Sequence, residues 1–205
     1  MKKILLLIGL LIAGFALNAQ SQDAYVKAMQ KGFEAMGEAQ SVQDFIGVAS
    51  QFERISSKVR DQWHPHYYVA LNYINASFRA EGLETKDSYT EKAQGFIDNA
   101  MKIAPNESEV VALQGFNYMT QLSADPGSRG QSMSPKAMQT FGKATGMNPN
   151  NPRAMTFMAQ MQFGTAQFFG SSTAVSCETA KKTLPLFAAE EKGKSFDPTW
   201  GKEMA

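Results

Sequence analysis

The sequence has little of what most reactive sites are built from. One cysteine, Cys177, excludes an internal disulfide and any zinc site made of cysteines. The two histidines, His64 and His66, flank a proline, and with no third ligand nearby they read as a helix start and not as a metal pair. Charge of one sign is also missing. Twenty basic side chains face nineteen acidic ones in 205 residues, a net charge of +1. That balance gives no electrostatic case for nucleic acid, which needs a basic surface. No glycine-rich phosphate loop, serine elbow or zinc-protease motif occurs. An enzyme is therefore not expected, and neither is a cofactor or a metal. What is present suits a packed domain: 43% of residues are apolar and only 19% charged, enough to fill a core.

The N-terminus reads as a secretory signal. Met1-Lys2-Lys3 is a short basic start, Ile4 to Leu17 is almost wholly apolar, and Asn18-Ala19-Gln20 follows. The apolar stretch spans about 21 Å as a helix, short of the ~30 Å hydrocarbon layer, although an uncleaved anchor stays open. Cleavage is expected after Ala19, leaving eighteen basic against nineteen acidic side chains. No later run is long and apolar enough to span a membrane. The expected location is periplasmic or extracellular.

A repeat governs the rest. Three dipeptides precede apolar-periodic stretches: His64-Pro65, Asn151-Pro152 and Asp197-Pro198. Proline suits a helix's first turn because its missing N–H would be unpaired there anyway. Asn106 with Glu109 reads as a fourth start, a capping box using asparagine. Further along, Ala93, Ile97, Ala100 and Pro105 recur as Ala137, Phe141, Ala144 and Pro149, each offset by 44 residues. Residues three and four apart share a helix face, so alanine, bulky apolar, alanine is one stripe. The alanines admit a neighbouring helix, the large side chain fills the gap between them, and the proline ends the helix. Such a helix hairpin buries its apolar face only by stacking on the next.

These motifs resemble the second helix of the tetratricopeptide repeat family. Gly115 and Tyr118 match its first-helix G-x2-Y signature, and Tyr68 and Leu71 fit its W-x2-L part. The family repeat is ~34 residues, whereas these units run 43 or 44. HEAT-type repeats are longer but lack the alanine and proline signature. The resemblance implies an all-α, right-handed α-solenoid of about four hairpins at residues 22–60, 65–104, 108–147 and 152–192, with a short capping helix at 198–205. The excess length is expected between the paired helices, as enlarged turns at Glu81–Asp87, Ser123–Ser134 and Phe169–Val175. Pro185 should kink the last hairpin.

Two surfaces are candidates. In the family the first helix of each hairpin lines a concave groove. The matching positions here include His66 and Tyr73, then Glu109 and Phe116, then Arg153, Gln160 and Phe163. The lysine and asparagine cluster with which some family members grip a terminal carboxylate has no counterpart. The second surface is a rim of the inserted turns, with Asp125 and Arg129 most prominent. The expected function is a noncatalytic scaffold that binds a protein or peptide through groove or rim. A small-molecule or glycan pocket made by the tyrosines and phenylalanines is the alternative. Cys177 reads as a buried side chain near the fourth hairpin, or as half of an intermolecular disulfide.

Overall fold

A computed structural model describes residues 22–190 and 196–205, so the expected signal segment at 1–19 lies outside the described residues. The described chain is all-α and solenoid-like. Its helices are α1 (22–38), α2 (Val42–Ser56), α3 (Trp63–Arg79), α4 (Leu83–Ile103), α5 (Ser108–Ala124), α6 (Pro126–Met147), α7 (Pro152–Phe168), α8 (Ala174–Lys181) and α9 (Thr183–Ala189). Consecutive helices pair as hairpins. The first helices of the last three also touch in turn, α3 on α5 and α5 on α7. No helix among the described residues is long and apolar enough to cross a membrane.

The repeated stripe is the core. Ala93, Ile97, Ala100, Ala137, Phe141 and Ala144 are all fully buried. Small and large residues complement each other across the first and third hairpins. A Cβ built on Gly115 would lie 2.4 Å from the Phe141 ring, and one built on Gly32 would lie 2.7 Å from the Phe52 ring. Real side-chain atoms do not approach so closely, so each glycine makes room for a phenylalanine. In the second hairpin Asn72 stands where the third has Gly115, and the position matching Phe141 holds the smaller Ile97.

The extra length of the second and third units lies in their second helices, and this corrects the enlarged turns expected at 81–87 and 123–134. The first helices α3, α5 and α7 have 17 residues each, but α4 has 21 and α6 has 22. The Asp125 side chain accepts from the Ser128 N–H at 3.2 Å, and Pro126 occupies the first turn. Asn151-Pro152 starts α7 in the same way, with Asn151 accepting from the Ala154 N–H at 2.9 Å. Pro135 sits inside α6 and not at its start. It and Gln131, whose carbonyl loses its helical donor, are both exposed, so water can take the place of the missing bond.

Other helix ends also depart from expectation. Glu107, and not Asn106, caps α5 by accepting from the Glu109 N–H at 3.1 Å. Pro185 divides the last hairpin's second helix into α8 and α9. It cannot donate to the Lys181 carbonyl four residues back, and the break falls at Lys182. Only residues 169–173 remain as a true turn between paired helices of that unit. The expected capping helix from Pro198 is replaced by an irregular strand of chain with a single 3-10 turn, Lys202–Met204. Phe196 and Gly201 have positive φ, 81° and 100°, which a helix does not admit.

Candidate functional site

Residues 196–205 lie along the first helices of the hairpins, so much of the expected groove is already filled. Phe196 packs edge-on to Tyr25 at 5.4 Å between ring centres and stacks on Phe33 at 5.8 Å, both on α1. On α3, His64 Nε2 lies 3.0 Å from Asp197 Oδ1, and the Tyr68 hydroxyl donates to the Phe196 carbonyl at 2.9 Å. Trp200 lies against Phe116 of α5 and Phe157 of α7, at 5.8 and 6.0 Å. Its indole N–H donates to the Tyr67 hydroxyl at 3.0 Å. Gln160 donates to the Met204 carbonyl at 2.7 Å.

A buried charge cluster anchors the middle of this contact. Arg153, at the start of α7, is 1% exposed. Its guanidinium makes a two-pronged contact with Glu109 at 2.6 and 3.0 Å, donates to the Trp200 carbonyl at 2.8 Å, and also pairs with Glu190. Burial pushes the Glu109 carboxyl up, and the Arg153 hydrogen bonds and charge pull against that shift. Burial likewise opposes the charge on Arg153, but its carboxylate partners outweigh it and hold its pKa above the ordinary value. Such an arrangement fixes shape; it presents no titrating group to a substrate.

The buried phenols give the fold a limit in base. Burial raises Tyr67 and Tyr68 well above the ordinary tyrosine value, and burial together with Asp61 pushes Tyr25 up to about 12. Below pH 10 native and unfolded chains both keep these protons, and the stabilisation is complete. Above it the unfolded chain ionises while the native phenols do not, so stability falls as pH rises from 10 through about 12. Urea midpoints measured from pH 8 upward should drop steeply past pH 10. Absorbance at 295 nm should show fewer than the six tyrosines ionising before unfolding.

The other residues expected at a site are dispersed. His66 and Tyr73 turn toward α4, where both approach Phe96, at 6.0 and 6.4 Å; burial lowers the His66 pKa. Glu109, Phe116, Arg153 and Gln160 meet residues 196–205 or the buried cluster, and Phe163 is exposed. Asp125 caps α6. Arg129 lies inside that helix and not on a loop rim. It grips Asp87 of α4 with two bonds of 2.6 Å, which joins the extra turns of the two long helices and holds the Asp87 carboxyl below its usual range. Sequence reasoning missed His64, Tyr67, Tyr68, Phe196 and Trp200. The available signal was Trp200 bracketed by the helix breakers Pro198 and Gly201.

A second feature lies at the far end of the row. Residues Thr156, Gln160 and Phe163 of α7, Cys177 and Ala180 of α8, Thr183 of α9, and Met204 line an open cleft of about 270 Å³. Cys177 is exposed there, not buried as expected. Among the described residues seven large apolar side chains are exposed, and five of them fall between 163 and 184: Phe163, Phe168, Phe169, Val175 and Leu184. Phe168 and Phe169 are 83% and 74% exposed. No charged residue occurs from 154 to 177; the exposed pair Glu178 and Lys181 follows on α8.

No protein-family model matches the chain, and no curated protein matches its sequence. Among solved structures, the HusA haemophore from Porphyromonas gingivalis aligns with a TM-score of 0.78 and 24% identity, over 87% of this chain and 88% of that one. The shared property is the fold, and it is compatible with a tetratricopeptide-like helical repeat. A second structure, the MamA RS-1 ArsTM double mutant, has a TM-score of 0.35 and 11% identity over 82% of this chain and 97% of that one. A score that low carries no conclusion about this chain.

Proposed function

We propose that this chain is a noncatalytic binding module, exported across a membrane, that holds a flat apolar ligand in the cleft of its fourth hairpin. The observation that carries the reading is an open cleft walled by Ala159, Phe163, Cys177, Ala180 and Met204, on a hairpin that also exposes Phe168, Phe169, Val175 and Leu184. Exposed apolar side chains gathered on one hairpin are a common mark of binding sites in soluble proteins. The groove expected to hold a partner is occupied by residues 196–205, which favours the cleft for a free small molecule. Ligand pockets usually enclose about 300–1,000 Å³. At about 270 Å³ this cleft accepts one edge of a large ring, with Phe163 in its wall.

The fold likeness to a haemophore makes haem the first ligand to try. Haem would be cargo here. Cys177 and Met204, both lining the cleft, offer sulfur, a common axial donor to haem iron. Hemin titrated into the protein should give a saturable shift of its Soret band with one ring per chain and a Kd near or below ~1 μM, about 8 kcal/mol of binding. Phe163→Ser should weaken hemin and metal-free protoporphyrin alike by about tenfold, ~1.4 kcal/mol. Cys177→Ser should move the hemin band while leaving protoporphyrin affinity unchanged. Titrations with both rings that never saturate would overturn the assignment.

A further inference from the structure

We infer that the inner groove is an exchangeable peptide site whose built-in occupant is residues 196–205. The partner it fits is an extended segment with aromatic side chains four residues apart, the first followed by a carboxylate. The inference goes beyond the cleft and does not depend on what the cleft holds.

The occupant is bound as a peptide ligand would be. Its carbonyls at positions 196, 200 and 204 accept from Tyr68, Arg153 and Gln160, at 2.9, 2.8 and 2.7 Å. Three donors on two helices thus read the main chain at every fourth residue, and main-chain contacts are tolerant of sequence. Specificity comes from side-chain positions between those donors. Phe196 enters a pocket walled by Tyr25 and Phe33, Trp200 lies on Phe116 and Phe157, and His64 meets Asp197. Every one of these partners is on the first helix of a hairpin, at least 43 residues away in sequence. Removing the occupant uncovers the groove side of these rings, which favours a substitute of the same shape.

The occupant is also imperfect. Phe196 holds φ at 81°, a conformation that a bulky L-residue rarely adopts and that costs free energy wherever it is imposed. A segment supplied by another molecule has no covalent link to Glu190 and enters along its own path, so it need not take on that strain. This is the physical basis for exchange: the linked segment has the advantage of proximity, and the free one has the advantage of a relaxed backbone.

The test uses the full chain with its own occupant weakened, Phe196→Ala/Trp200→Ala, and a fluorescein-labelled decapeptide of residues 196–205 as the probe. Fluorescence anisotropy should saturate with the double variant at micromolar peptide, at least tenfold tighter than with the unsubstituted chain. A decapeptide with both aromatics replaced by alanine should not bind. Equal binding to variant and unsubstituted chain, or none to a variant that keeps its helical circular dichroism, overturns the inference. If the double variant loses that signal, Asp197→Asn takes its place. There the peptide should bind at least threefold tighter than to the unsubstituted chain, and no gain is a negative result. A failed hemin titration leaves these outcomes unaffected.

Discussion

Replacing Arg153 with methionine should cost about 3–5 kcal/mol of stability, the usual penalty for breaking a buried ion pair by removing one partner. The loss exceeds the value of the bonds themselves. Glu109 and Glu190 would be left facing each other without their shared cation, and the Trp200 carbonyl without its donor. Desolvation already raises the Glu109 pKa with Arg153 in place, and the substitution should raise it further. A carboxyl whose native pKa exceeds its unfolded value stabilises most at low pH, where it is protonated in both states. The deficit of Arg153→Met should therefore be smaller in urea melts at pH 5 than at pH 8. Adding Glu109→Gln should return part of the loss at pH 8. A deficit below ~1 kcal/mol would place Arg153 among surface pairs, in conflict with its burial.

The second large effect is expected at Gly115. Helix propensity alone favours Gly115→Ala by about 1 kcal/mol, yet the new Cβ would stand 2.4 Å from the Phe141 ring. Overpacking of this kind typically costs about 1–3 kcal/mol, so the net change should be destabilising, and larger still for Gly115→Val. The second hairpin suggests the remedy, since Ile97 stands there in place of Phe141. Phe141→Ile alone opens a cavity, but combined with Gly115→Ala it should recover most of both losses. Chemical melts of the four proteins should give a coupling energy above ~1 kcal/mol. Simple additivity would mean that glycine and ring do not fit each other as the structure has them.

The architecture was legible because its determinants are local and repeated. Alanine, bulky apolar, alanine at helical spacing can bury its stripe in few ways, and the offset of 44 residues marks the second helices directly. Helix limits were harder to read. Asp125-Pro126 carries the same start signal as Asn151-Pro152, but the run of glycine and serine after it reads as an enlarged turn at 123–134. The glycines and serines are exposed or half-buried on α6, where a poor helix former costs little and Arg129 can reach Asp87. Pro198 and Gly201 around Trp200 mark a break in helix, but they do not record which helices residues 196–205 run along. Their contacts with Tyr67, Tyr68 and His64 span 128 to 133 positions, so no periodicity records them. Within the groove, the family pattern selected Glu109, Phe116, Arg153 and Gln160, which do meet near this segment. On α3 it selected His66 and Tyr73, which face α4, while His64, Tyr67 and Tyr68 serve instead.

Rows of helix hairpins usually come apart piecemeal, because each unit leans only on its neighbours and the ends fray first. Here one segment laces the first hairpin to the last, joining Tyr25 and Phe33 to Arg153 and Gln160. That lacing turns a chain of links into a closed loop, in which no terminal unit can peel away without breaking a bond to the opposite end. The molecule should therefore melt as a single body, with its outermost helices as slow to exchange their amide hydrogens as those in the middle.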